Sequence, residues 1–418
     1  MSLPTEEKRV AIDADTPVDR VRSVVSDWVE RAVPREWRDA VAKGGLVELR
    51  RVRSRDVYEG WYPTFAASGL VAPMWAPEYG GLGVSSATAR VVDDVLAPHH
   101  LGRLNPLGLS LAGPTLLAWG TEDQRRRYLP PIVRNEERWC QLFSEPGAGS
   151  DLASLATEAA RDGDEWVLTG QKVWSTWAHE SRFALTLARS NPDVPKRAGI
   201  TYFIVPVDAL GVSVRPLRQM TGEADFNEVF LDAVRISDDM RIGPVDGGWK
   251  VASATLSGER QMISGTGAGG VDRIGGRSVE RLVARVGERG DDPNARQRVM
   301  ALYATERALT WTNARAREAR KAGRHPGPES SIGKLLAAEL NQAAQEEWLR
   351  LAGAGATARA GDDDDTGAVV HGFLRSRANT IEGGTSEVQR NVIGERVLGL
   401  PREPDQFRDA AWKDVPRS

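Results

Sequence analysis

Cys140-Gln141-Leu142-Phe143-Ser144-Glu145-Pro146-Gly147-Ala148-Gly149-Ser150-Asp151 marks the place where the chain changes character. An apolar stretch empties into a loop with two glycines and hydroxyls on each side. Such a loop exposes backbone N–H groups to a ligand bearing carbonyls or phosphates; a tight surface turn is the plainer reading. Upstream the apolar period is helical. Val18, Val21, Val24, Val25 and Trp28 recur at helical spacing after Thr16-Pro17, and Pro34 ends the segment. Leu46 to Leu70 continues the helical pattern, with Pro63 expected to break it. Ala76-Pro77-Glu78-Tyr79-Gly80-Gly81-Leu82-Gly83 is a glycine-rich turn between helices, and Thr121 caps a helix with acids in its first turn.

Downstream the period shortens. Glu165-Trp166-Val167-Leu168 follows an Asp162-Gly163-Asp164 turn, and further runs span residues 200–205, 212–215 and 226–231. With little helix between them, these predict an antiparallel sheet or small barrel and not a βαβ unit. Helical pattern returns over residues 248–263, 296–321 and 331–351, which predicts a C-terminal four-helix bundle. The expected organisation is α+β multidomain: a helical domain over 1–138, a β-domain over 139–246, a helical bundle over 247–402 and a loosely held polar tail over 403–418. No G-x-G-x-x-G follows a strand, so a dinucleotide held in the Rossmann manner is excluded.

A formal net charge of −3 on 418 residues gives no footprint for nucleic acid. No run of 18 apolar residues predicts a membrane span, and the polar N-terminus lacks a signal-peptide core. One cysteine, Cys140, permits no internal disulfide. A cytoplasmic location is expected. Lysine is scarce beside arginine, which reads as genome composition. Gly361-Asp362-Asp363-Asp364-Asp365 reads as a solvated acidic loop.

Two further motifs carry chemistry. In Gly170-Gln171-Lys172-Val173-Trp174-Ser175-Thr176-Trp177, a Trp beside two hydroxyls can cover a flat ring and bond its edge; a half-buried strand with an aromatic anchor is the plainer reading. In Ile381-Glu382-Gly383-Gly384-Thr385-Ser386-Glu387, two glycines lead into a helix capped by Thr385 or Ser386, which suits an electron-rich ligand or serves as a cap alone.

These three motifs, in this order, resemble the acyl-CoA dehydrogenase family. Glu78-Tyr79-Gly80-Gly81-Leu82-Gly83, Phe226-Asn227-Glu228-Val229-Phe230 and Gly394-Glu395-Arg396-Val397-Leu398-Gly399-Leu400-Pro401 extend the similarity over residues 18–402. The resemblance implies FAD, with Phe143, Ser144 and Ser150 along the flavin and pyrophosphate, Trp174, Ser175 and Thr176 at the ring, and Thr385 and Glu387 at the adenine half. It implies oxidation of an acyl-CoA thioester to the trans-2-enoyl-CoA, an α-proton going to a carboxylate and a β-hydride to flavin N5. Many members carry the base just before the Gly-Thr of the third motif; here that position is Gly383, whose N–H remains available to the thioester oxygen. A second subgroup carries the base before an Arg on the first helix of the last domain, which here is Glu259-Arg260. The residues agree: Glu259 shares a helical face with Ala252, Leu256, Met262 and Ile263, where desolvation raises basicity. A Glu–Arg pair in a helix interface is the alternative. Ser150, Leu256, Arg260 and Gly383 are the expected substrate contacts.

Two stretches depart from the family. Gly327-Pro328-Glu329-Ser330-Ser331-Ile332-Gly333-Lys334 stands where Arg-x-Phe-Gly is common, and Arg350 stands where Gln is common. This pattern occurs in a branch of heteromeric dehydrogenases for steroid or other bulky acyl-CoAs. The expected partners are therefore an acyl-CoA, an electron-transfer flavoprotein or similar acceptor, and further copies of this chain or a related subunit, most simply as a tetramer. An oxygen-using flavoenzyme and a supporting subunit without activity remain open as alternatives.

Overall fold

The computed structural model describes residues 9–263, 278–289, 292–321, 327–356 and 364–416, without the side chains of 257–263, 288–289, 317, 320–321 and 364–366. Helices α1 (Val18–Ala32), α2 (Arg35–Val52), α3 (Arg55–Ala67), α4 (Ser86–Leu96), α5 (Gly113–Trp119) and α6 (Glu122–Arg134) form the first domain. Pro63 does not break its helix; it lies inside α3. A proline removes one internal hydrogen bond, and Tyr62 and Phe65 on either side are buried in the core, which holds the turn helical. Thr121 caps α6, and Gln124 returns the bond to the Thr121 N–H, completing a capping box. In the glycine-rich turn, a Cβ on Gly81 would stand 2.1 Å from the Trp75 carbonyl oxygen, so no other residue fits there.

The middle domain holds β1 (Trp139–Leu142), β2 (Glu158–Asp162), β3 (Glu165–Thr176), β4 (Phe183–Arg189), β5 (Ile200–Pro206), β6 (Val212–Leu217), β7 (Phe226–Ser237) and β8 (Arg241–Ile242). They make one sheet in the order β6-β7-β3-β2-β4-β5-β8, with β1 also paired to β4. Most pairings are antiparallel, but β1 runs parallel to β4, and Glu158 of β2 meets Arg189 of β4 in parallel. The expected antiparallel sheet thus carries parallel pairing at these two places. β4 is buried along its whole length. Its Phe183, Leu185 and Leu187 face the core shared with the first domain, while Ala184 and Ala188 face the sheet's own core.

Beyond the sheet lie α7 (Gly248–Ile263), α8 (Val279–Arg289), α9 (Pro293–Lys321), α10 (Ser330–Ala352), α11 (Asp364–Ser376) and α12 (Ser386–Val392). Helices α8 to α11 enclose a separate core with Leu282, Val299, Leu340, Trp348 and Val369. Among the described residues no helix is long and apolar enough to cross a membrane.

The tail is docked, not loose. Trp412 is buried; its N–H donates to the Val194 carbonyl at 2.8 Å, and its indole N–H to the Ser154 carbonyl at 3.3 Å. The Arg189 guanidinium lies 4.8 Å from the ring centre.

The three domains meet at one buried hydroxyl. Thr255 of α7 lies 2.7 Å from the Thr115 hydroxyl of α5 and 3.1 Å from the Tyr202 hydroxyl of β5. Thr255→Val takes away the partner of the buried Thr115 hydroxyl, at a cost of about 1–3 kcal/mol. Its thermal unfolding midpoint should fall, whereas Ser253→Ala, at an exposed hydroxyl bonded only within α7, should leave it unchanged. Equal midpoints for the two variants would show that the junction adds no stability.

Candidate active site

Lys172 of β3 brings the first two sequence motifs together. Its side chain is fully buried and its ammonium donates to the Glu145 carboxylate at 2.8 Å and the Phe143 carbonyl at 3.2 Å. The other face of Glu145 accepts the N–H groups of Ala156 at 2.7 Å and Thr157 at 2.9 Å. Val173 N–H donates to the Ser144 carbonyl at 2.9 Å. Burial by itself would raise the Glu145 pKa. The facing ammonium and the two N–H donors more than offset this and hold the carboxyl below its ordinary value. The glycine loop is thereby fastened along the strand that carries Trp174.

Loop residues 145–148 close on themselves, Glu145 and Ala148 exchanging N–H to carbonyl bonds of 3.1 and 3.0 Å. Among the described residues the N–H groups of Gly147, Gly149 and Ser150 have no partner within the chain. Phe143 is buried, its ring edge-on to Tyr202 at 5.7 Å; Ser144 is half-buried and Ser150 exposed. On β3 the pairing with β7 slips between Lys172 and Ser175. At this bulge Trp174 takes φ +61°, a left-handed conformation unusual for a bulky residue, and its side chain stands 61% exposed, edge-on to Phe226 at 5.8 Å. Pairing of Ser175 with Asn227 and of Thr176 with Phe226 fixes the strand beyond the bulge. Among the described residues the buried Ser175 hydroxyl has no partner, and Thr176 is half-buried. An exposed aromatic on a strained bulge, beside unused N–H groups and an orphaned hydroxyl, is suited to a flat ligand with polar edges.

The third motif is anchored from α10. Lys334, also buried, donates to the carbonyls of Asn379 at 2.9 Å and Gly384 at 2.7 Å. The Gln389 amide donates to the Gly383 carbonyl at 3.2 Å and the Gly384 carbonyl at 3.3 Å. Gly383 and Gly384 both have positive φ, +62° and +93°. Glu382 turns toward α11, accepting from Asn379 at 2.8 Å and Arg375 at 3.2 Å. Thr385 caps α12 by accepting the Val388 N–H, and Glu387 is exposed.

α7 borders the first two motifs through Thr255, which bonds Tyr202, against which Phe143 packs. Val251, Ala252 and Thr255 are buried and Leu256 half-buried. Glu259 follows Thr255 by one helical turn on the α7 backbone; its side chain and that of Arg260 lie outside the described residues. In the departing stretches, Arg350 pairs at 3.3 Å with Glu347, a buried carboxylate that also takes a two-pronged bond from Arg298 at 2.8 and 2.9 Å.

The acyl-CoA dehydrogenase N-terminal, middle and C-terminal domain models match residues 20–136, 140–234 and 246–398. The chain belongs to the acyl-CoA dehydrogenase family. Members are FAD-binding flavoproteins, oxidoreductases by class. The chain is 39% identical to the acyl-CoA dehydrogenase IpdE1 of Mycobacterium tuberculosis, over 92% of this chain and 98% of that one. It is 40% identical to the acyl-CoA dehydrogenase FadE34 of the same organism over 81% of this chain, but spans only 45% of that longer protein. Among solved structures, the ChsE4-ChsE5 complex from Mycobacterium tuberculosis is 28% identical with a TM-score of 0.69, covering 93% of this chain and 99% of that chain. The Tcur3481-Tcur3483 steroid ACAD is 27% identical with a TM-score of 0.71, covering 94% and 100%.

Sequence reasoning missed Lys172, Lys334 and Gln389. A signal was present: only eight of the 55 cationic residues are lysines, and a lysine inside an apolar pattern of an arginine-rich chain invites a specific reason. Glu145→Gln leaves the Lys172 charge buried without its counterion, which costs about 3–5 kcal/mol. The depressed carboxyl contributes stability fully present above its ordinary value of 4.5 and lost as pH falls through its lower folded value. Chemical denaturation as a function of pH should therefore show a lower plateau for the variant and a shallower acid loss. An unchanged acid limb would show that the pair carries no charge.

Proposed function

We propose that this chain catalyses the FAD-dependent α,β-dehydrogenation of an acyl-CoA thioester, with Glu259 as base. When bound, FAD supplies the acceptor for the hydride leaving Cβ. Phe143, Ser144, Ser150, Trp174, Ser175 and Thr176 would hold its flavin and pyrophosphate, and Thr385 and Glu387 its adenine half. Unused N–H groups in the glycine loop and the orphaned Ser175 hydroxyl support this fit. The observation that carries the reading is the junction at Tyr202. It joins Phe143 of the loop to Thr255 of α7, so that Glu259 stands one turn along the helix bordering the loop. The face formed by Ala252, Thr255 and Leu256 is turned into the protein, and a carboxylate continuing that face gains basicity by desolvation. Gly383 offers its N–H to the thioester oxygen as negative charge develops there. Glu382 is already engaged by Arg375 and Asn379 and is not the base. Ser150, Leu256 and Arg260 would line the substrate.

The acyl group proposed is a bulky one, of steroid side-chain type, and the working form is an assembly with a related subunit. Support comes from the steroid ACAD and the ChsE4-ChsE5 complex, each matched over nearly its whole chain. An electron-transfer flavoprotein or similar protein would accept the electrons.

Anaerobic mixing with butyryl-, octanoyl- and steroid side-chain acyl-CoA tests this by bleaching of the flavin absorbance. Glu259→Gln should keep its flavin yet slow bleaching by about 10²–10⁴-fold, while Glu382→Gln should stay near the wild-type rate. The reverse pattern would overturn the assignment, and a wild type inert to all three thioesters would overturn the activity. Trp174→Ala should lose bound flavin or alter its spectrum; an unchanged flavin would remove Trp174 from the site.

A further inference from the structure

We propose that Lys334 is a positioning residue for this reaction, aiming the N–H groups of the Gly383-Gly384 turn toward the thioester oxygen. The proposal rests on the reading of Gly383 given above. Lys334 stands on α10, and its ammonium bridges the carbonyl before the turn, Asn379 at 2.9 Å, to the carbonyl after it, Gly384 at 2.7 Å. One cation thus staples a segment of six residues at both ends. Gln389 adds a second hold, on the carbonyls of Gly383 and Gly384. A trans peptide keeps its C=O and N–H pointing in opposite directions. Drawing the Gly383 carbonyl toward Gln389 therefore turns the Gly384 N–H the other way, and drawing the Gly384 carbonyl toward Lys334 does the same for the Thr385 N–H. Among the described residues the N–H groups of Gly383 and Gly384 have no partner within the chain.

Both glycines sit at positive φ. A Cβ on Gly384 would stand 2.7 Å from the Gln389 amide nitrogen, so the turn accepts no larger residue without giving up that hold. Asn379 is itself fixed by Asn341 at 2.6 Å and in turn holds the Glu382 carboxylate at 2.8 Å.

Structure alone does not require a charge at this place. A buried ammonium is costly; among the described residues Lys334 bonds no carboxylate, and Glu382 and Glu387 favour its charge only from farther off, so a neutral amide could satisfy the two carbonyls. What the charge adds is polarisation. Hydrogen bonds from a cation are about twice as strong as neutral ones; this one makes the Thr385 N–H, on the peptide of the Gly384 carbonyl, a better donor, and it reaches the Gly383 and Gly384 N–H groups through the held shape of the turn. That gain matters when the α-proton passes to the base and the electron pair left behind spreads onto the thioester oxygen.

The test uses FAD-loaded Lys334→Met and Gln389→Met proteins. The readout is exchange of the α-hydrogens of octanoyl-CoA and a steroid side-chain acyl-CoA for deuterium, in D₂O, anaerobically, without an electron acceptor. Rates are taken per bound flavin, with thioester affinity measured separately. Lys334→Met should keep thioester affinity nearly unchanged while exchange falls by about tenfold to a hundredfold, the size of effect that misplacing a reacting group produces. Gln389→Met should show a smaller fall of the same kind, which keeps the proposal open to test if Lys334→Met does not fold. Unchanged exchange per flavin, with only thermal stability or flavin content reduced, would overturn the proposal and leave Lys334 a structural lysine. Failure of the underlying reading looks different: the wild type itself would exchange neither thioester, and the proposal would fall with it.

Discussion

Lys172 and Glu145 are both buried, and neither can lose the other without leaving a bare charge in a medium that solvates it poorly. That constraint ties distant parts of the site together. Because the carboxylate also takes the N–H groups of Ala156 and Thr157, the loop is held at its start and again where it rejoins β2. Because the ammonium also takes the Phe143 carbonyl, the phenyl ring is set against Tyr202, and through Tyr202 the first helix of the last domain is reached. The free N–H groups of the loop and the exposed indole of Trp174 are then two faces of one rigid element.

The outline of the fold was legible in the sequence because period is a local property. Helical spacing around Val21 and Val25, alternation in β6 and β7, and the extent of α7 depend on neighbours within a few residues. The parts that were not legible depend on partners far away in the chain. β4 has no alternation because both of its faces are covered, one by the helical domain and one by its own sheet. Its parallel pairing with β1 joins segments with the whole glycine loop between them. Pro63 reads as a breaker by local rules, and burial of Tyr62 and Phe65 overrides them.

Site residues divide in the same way. Trp174, Thr385 and the glycines stood out because their types are unusual in those settings. Lys172, Lys334 and Gln389 did not, because a lysine or glutamine between apolar residues normally reaches for solvent. Nothing nearby in the sequence says that a carboxylate 27 residues away, or a carbonyl 50 residues away, will meet the ammonium. The two buried lysines divide the work. Lys172 answers a carboxylate directly and locks a loop, whereas Lys334 bonds carbonyls, with the Glu382 and Glu387 carboxylates acting on its charge from beyond hydrogen-bond reach.

The return of the tail to Arg189 and Val194 changes how the domains are connected. The chain leaves the middle domain once, into α7, and comes back to it at Trp412. The helical bundle is therefore an insertion between two pieces of the middle domain and not a module hung from one end. A single cut near Gly247 would leave the bundle still clasped by Trp412, and a single cut before Trp412 would leave it joined through α7. Relative motion between the two is therefore restrained at both ends of the bundle, where α7 meets β5 through Thr255 and Tyr202 and where Trp412 docks.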